Sequence, residues 1–155
     1  MSKTFICLAL SALLFALSLP VQAQQPGKIP RIGYLSASTL SNQTARVEAF
    51  LQGLRELGYV EGKNIAIEWR WAERKFDRLP DLAAELVRLK VDVIVSAGPA
   101  ATRAAKKATS TIPIVMGFDN DPVGSGFVAS LARPGGNVTG LSTLAPELNG
   151  KQLEH

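Results

Sequence analysis

Apolar and polar positions along this chain follow two alternating periods. Arg31 to Ser36 is a short, largely apolar run that predicts a first strand, and the small polar loop Ala37 to Asn42 follows it. Val47, Phe50, Leu51, Leu54 and Leu57 then fall at helical spacing, one core-facing side of an amphipathic helix that Gly58 stops. Beyond the turn Glu61-Gly62-Lys63-Asn64, Ile65, Ile67, Trp69 and Trp71 alternate with Ala66, Glu68, Arg70 and Ala72. That period-2 pattern predicts a second strand with one face less covered, which suits a sheet edge. Its two tryptophans read as edge cover before ligand stackers.

Leu79, Leu82, Ala83, Leu86 and Leu89 line a second helix begun at Pro80. Val91 to Val95 is nearly continuous in apolar character, the mark of a strand buried on both faces at a sheet centre. Pro99 opens a third helix with a small-residue face of Ala100, Ala101, Ala104, Ala105 and Ala108, and Lys106-Lys107 complement its C-terminal dipole. Ile114 to Phe118 is the fourth strand. It leads into the turn Asp119-Asn120-Asp121-Pro122-Val123-Gly124, a short helix from Phe127 to Ala132, the stop Arg133-Pro134-Gly135-Gly136, and a fifth strand from Asn137 to Leu141. Glu147 to Glu154 reads as the start of another helix.

Strands separated by helices at this spacing specify an α/β fold with a doubly wound parallel five-stranded sheet. With the second strand at an edge and the third central, the order is 2-1-3-4-5. Connections then leave in opposite directions after strands one and three. The switch point falls between Ser36–Ser41 and Ala97–Thr102, where open α/β sheets bind ligands.

The N-terminus changes the domain picture. Lys3, an apolar run from Thr4 to Leu19, and the small-x-small site Val21-Gln22-Ala23 form a secretory signal peptide over residues 1–23, too short to span a bilayer. The expected organisation is signal peptide, a mobile leader at 24–30, an α/β lobe at 31–143, and a further segment at 144–155. Cys7 leaves with the signal, so no disulfide, thiolate ligand or catalytic thiol remains. The formal charge of +4 is mild and mixed along the helices, which does not suggest nucleic-acid binding.

Three loops meet at the carboxyl edge of the predicted sheet: Ser36–Ser41, Ala97–Thr102 and Phe118–Gly124. A fourth, Ser142–Pro146, follows the fifth strand. Helix starts there favour an anionic group, and Asp119 or Asp121 can pair with an amine, so together they suit a zwitterion such as an amino acid. Turn and capping chemistry is an equal reading of both aspartates. Catalysis has less support. The single histidine, His155, is terminal, no zinc ligand cluster is present, and Asp119 with Asp121 are thin grounds for a metal-dependent secreted enzyme. Gly124 to Ala129 fits G-x-G-x-x-A, but it follows the fourth strand instead of the first, so it is no dinucleotide fingerprint. No catalytic residue, metal or cofactor is assigned.

Several segments occur in family order: Ile32-Gly33-Tyr34-Leu35, Gly53 to Tyr59, Asp92 to Val95, Ile112-Pro113-Ile114-Val115, Asp121-Pro122-Val123-Gly124, and Arg133 to Gly140. The chain resembles the tryptophan/tyrosine-type substrate-binding proteins of ABC transporters, with a type I periplasmic-binding fold. The resemblance implies one lobe of an extracytoplasmic solute-binding component of an importer, periplasmic or secreted after cleavage near Ala23. It implies a small-molecule ligand (an amino acid or similar, aromatic ones included), a membrane permease as partner, and no enzymatic turnover. It also implies ligand contacts at Ser36 and Ser38, at Gly98, Pro99 and Ala100, at Asp121 and Pro122, and at Ser142 and Thr143. Members carry a second lobe, so this chain resembles the first lobe alone. A sensory ligand-binding module shares the fold and is the alternative reading.

Overall fold

The computed structural model describes residues 28–142. The predicted signal peptide, Thr143, and the helix expected at 147–154 lie outside them. Five strands form one wholly parallel sheet: β1 (Arg31–Ser36), β2 (Ala66–Trp71), β3 (Val93–Ala97), β4 (Ile114–Asp119) and β5 (Val138–Ser142), in the spatial order β2-β1-β3-β4-β5. Three α-helices connect them: α1 (Thr44–Glu56), α2 (Leu79–Arg88) and α3 (Pro99–Ala108). The expected order is present.

Strand chemistry explains the layering. Gly33 and Leu35 of β1 point to the face carrying α2 and α3. Leu86 of α2 sits directly on Gly33, where an added Cβ would stand 2.9 Å from both Leu86 methyls. Leu35, Leu86, Ile94, Ala101, Ala105 and Ile114 are buried together with Ala72, Met116 and Val138, so the main core lies on this face. Burying each large side chain contributes about 1.5–3 kcal/mol against leaving it in water.

The opposite face is covered differently. α1 lies over β1 and β2 through an aromatic cluster. Tyr34 meets Phe50, Trp69 and Trp71 at 5.7, 5.0 and 5.4 Å between ring centroids, and Trp69 stacks on Trp71. The tryptophans are therefore edge cover, as their alternation predicted. Burial pushes the Tyr34 phenol above its ordinary pKa, with Arg46 pulling weakly the other way. Over β4 and β5 this face is barer: Val115 and Leu141 are exposed.

Two sequence-based expectations are not met. Leu57 lies one residue beyond α1 and is 75 % exposed, because the chain has already turned away at Gly58. The helix expected at Phe127–Ala132 is absent. Pro122–Gly126 makes a compact turn instead, and the Phe127 and Val128 amides both donate to the Pro122 carbonyl. Ala129 donates to Pro134, and Ser130 Oγ caps the Arg133 amide, so these backbone donors leave no helical ladder to build. Phe127 and Val128 nonetheless complete the core beside α3. The segment expected to be helical is therefore irregular.

At the amino edge, Asp92 receives the Arg31 amide at 2.8 Å and the Lys28 ammonium at 2.6 Å. The Lys28 hydrogen bond, then the Arg31 amide, holds this exposed carboxyl below the usual aspartate range. Exposed pairs of this kind contribute little to stability. Among the described residues no helix is long and apolar enough to cross a membrane.

Candidate functional site

Strand register gathers the predicted loops at the carboxyl edge. Ser36 at the end of β1 pairs with Trp71 of β2 and Ala97 of β3, while Asp119 at the end of β4 pairs with Ser142 of β5. The Phe118 ring lies against Gly98, which brings the β3 and β4 ends together. α1 departs from β1 on one face and α3 from β3 on the other, so the loops flank the topological switch point.

The first loop is rigidly tied. Ser36 is fully buried and its Oγ accepts the Ser38 amide at 3.1 Å, so this hydroxyl shapes the loop instead of facing a ligand. Ser38 is half-buried at the rim. Thr39 and Ser41 hydroxyls bond each other at 3.0 Å, and Thr44 Oγ1 donates to Leu40 O.

The second loop rests on a hydroxyl relay. Gly98 O only accepts, so the Thr102 hydroxyl donates to it at 3.1 Å. The Ser96 hydroxyl must then donate to Thr102 at 2.8 Å. Both side chains are fully buried. Pro99 is exposed and Ala100 half-buried above them. Thr102→Val is expected to cost about 1–3 kcal/mol, because it strands the buried Ser96 hydroxyl, while the Gly98 carbonyl keeps the Thr102 amide. Thr102→Ser should recover most of that loss in thermal denaturation. Equal stability of the Val variant would show that the relay does not support the loop.

In the third loop both aspartates are occupied with the turn. Asp119 is 2 % exposed and its Oδ1 accepts the Asp121 amide at 2.7 Å. Asp121 Oδ1 accepts the Gly124 amide at 2.8 Å, while its side chain stays at the surface. Asp119 is thus withdrawn from any ligand, and Asp121 is the carboxylate that faces solvent. Pro122 is buried beneath the turn. Among the described residues no group of three or more His, Cys, Asp and Glu side chains could hold a metal ion. Ser142 is half-buried at the end of β5.

The electrostatics favour an anion at the switch point. α1 and α3 both begin there with no acidic residue in the first turn and no side-chain cap bond. The first-turn amides of α1, and those of α3 that follow Pro99 (itself without an N–H), remain available to a negative group. Arg46, in the first turn of α1, lies over the Phe118 ring at 4.6 Å. A cavity of about 390 Å³ opens there between α1 and the sheet, with Tyr34, Phe50, Val95 and Phe118 among its walls. The sequence reading missed Arg46 and this cavity. The arginine's place one turn after the first loop was the available signal.

A doubly wound α/β lobe with its loops drawn together at the switch point has the arrangement in which open α/β sheets place ligands. The chain belongs to the ABC transporter substrate-binding protein family, whose pattern matches residues 39–154. A tyrosine-binding protein of Clostridioides difficile is 38 % identical over 95 residues, 61 % of this chain and 28 % of that relative. A ligand-free, open substrate-binding protein with adhesive properties from Clostridium difficile superposes with TM-score 0.73 at 29 % identity, over 81 % of this chain and 42 % of that one. A conserved domain protein of Vibrio cholerae gives TM-score 0.73 at 33 % identity, over 81 % and 43 %. An ABC domain of Streptococcus pneumonia in complex with L-Trp gives 0.70 at 28 % identity, over 74 % and 39 %. The chain therefore spans less than half the length of each of these proteins.

Proposed function

We propose that this chain is the first solute-binding lobe of an extracytoplasmic ABC importer component, and that its ligand is an amino acid, aromatic ones included. The observation that carries the reading is the pair of uncapped helix starts, α1 and α3, at the switch point of a family-matched lobe. They suit a carboxylate, the exposed Asp121 side chain suits an amine, and the Tyr34–Phe118 cavity suits an apolar side chain. Ser38, Gly98, Pro99, Ala100 and Ser142 supply the rim, and Thr143 is next in the sequence. Relatives that bind tyrosine or L-Trp support the ligand class. The predicted signal peptide at 1–23 supports export, and a membrane permease would be the docking partner.

Binding by such a component is saturable and without turnover. Titrating L-tryptophan, L-tyrosine and the other amino acids into the full-length gene product should raise its melting temperature. A ligand at about 100 times its Kd contributes about 2.7 kcal/mol. Absence of a shift with every amino acid would overturn the ligand class, and chemical conversion of a bound amino acid would overturn the transport reading.

A further inference from the structure

Glu73 and Arg74 follow β2 at the same carboxyl edge, and both adopt left-handed backbone, with φ of 53° and 65°. Two successive L residues with side chains rarely do so, and neither is glycine or asparagine. Their side chains are exposed, as is that of Lys75, so no burial of these groups offsets the strain. What the conformation achieves lies in the backbone. The Ala72 amide donates to Ser36 O at 2.9 Å, Glu73 to Ser38 O at 3.3 Å, and Arg74 to Ala37 O at 2.7 Å. Three consecutive amides thus grip the three consecutive carbonyls of the first loop. The second and third bonds cross, and the chain reverses through the left-handed residues 73–74 where they do. Lys75 donates to Ala72 O and closes the turn, and Ala72 itself is fully buried as its anchor.

We infer that the Glu73-Arg74 turn is a positioning element for ligand recognition: it sets the shape of the Ser36–Ser38 loop before ligand arrives, through backbone bonds and not through its own side chains. This rests on the proposed ligand site at that loop. Strained backbone concentrates where surrounding structure over-determines a functional geometry. Here the over-determination has two layers, because Ser36 Oγ also holds the Ser38 amide from within. A preset loop spares the ligand the cost of ordering it.

Two double variants of the full-length gene product separate this role from a merely structural one. Glu73→Gly with Arg74→Gly removes the strain but frees the turn. Glu73→Asn with Arg74→Asn also removes both charged side chains, yet keeps a residue that tolerates left-handed backbone. Calorimetric titration with L-tryptophan and L-tyrosine, beside thermal unfolding, reads both properties. The glycine variant is expected to bind the better ligand about tenfold more weakly at a melting temperature near wild type, and the asparagine variant within about twofold of wild type. Equal weakening in both variants would assign the effect to the charged side chains and overturn the proposal. Wild-type affinity in the glycine variant would overturn it too, leaving the strap purely structural. Absence of binding by the wild-type protein would instead overturn the ligand site on which it rests.

Discussion

Leu86→Ala is expected to destabilise the lobe by about 3–5 kcal/mol in urea or thermal unfolding, at the upper end of what such truncations cost. Leu86 is fully buried within the core cluster, and its methyls also rest on the β1 backbone at Gly33. Side chains can relax into a void, but a central strand paired on both sides cannot, so the cavity stays open. The same contact makes a coupled prediction. Gly33→Ala alone places its methyl 2.9 Å from Leu86 and should be destabilising. Combined with Leu86→Ala, that methyl enters the vacated space, so the two losses should fall short of additivity by about 1–2 kcal/mol. Strict additivity would mean that α2 does not sit on β1 as described.

Gly140→Ala is the second large effect. Gly140 has φ of +144°, and a Cβ there would lie 2.2 Å from Met116 O and 2.7 Å from Met116 N. Those atoms are backbone of β4, paired with β3 on the other side, and they cannot move aside. The site also coincides with the register irregularity between Met116 and Asp119 that brings Asp119 opposite Ser142. A loss above about 3 kcal/mol is expected, with amide-exchange protection falling in β4 and β5 before β1 and β2. Gly136→Ala, where an added Cβ meets nothing within 4 Å, is the control. A Gly140→Ala variant that melts like wild type would refute the close β4–β5 approach.

These two contacts mark the boundary of what the sequence discloses. Strand count, order and the switch point follow from periodicity, because a strand buried on both faces and an edge strand have different apolar patterns at Val91–Val95 and Ile65–Trp71. Turn termini marked by Gly58, Pro80 and Pro99 were equally legible. The connection at 122–137 was not. Its apolar residues have helical spacing, but Ser130, Pro134 and the Pro122 carbonyl capture the amides a helix would need. Within the site, the loops were legible as places and not as surfaces. Ser36 and Asp119 both have polar side chains at the right edge, yet each turns inward to bond an amide two residues on. The strap at Glu73-Arg74 left no trace at all, because neither residue type advertises a left-handed backbone. Only its hydrogen bonds reveal it.

The stacked indoles of β2 have an optical consequence. The chain contains two tryptophans, and their rings lie 6.0 Å apart and within 6° of parallel, beside Tyr34. Their transition dipoles are close enough to couple, so the pair contributes a shared signal to the near-ultraviolet circular dichroism. Because Trp71 pairs with Ser36, that signal watches the first loop and its strap directly, while the Asp121 turn beyond β4 is dark to it. A ligand that reshapes the first loop will alter the coupled near-ultraviolet circular dichroism, and one held only at the far side of the edge will leave it unchanged.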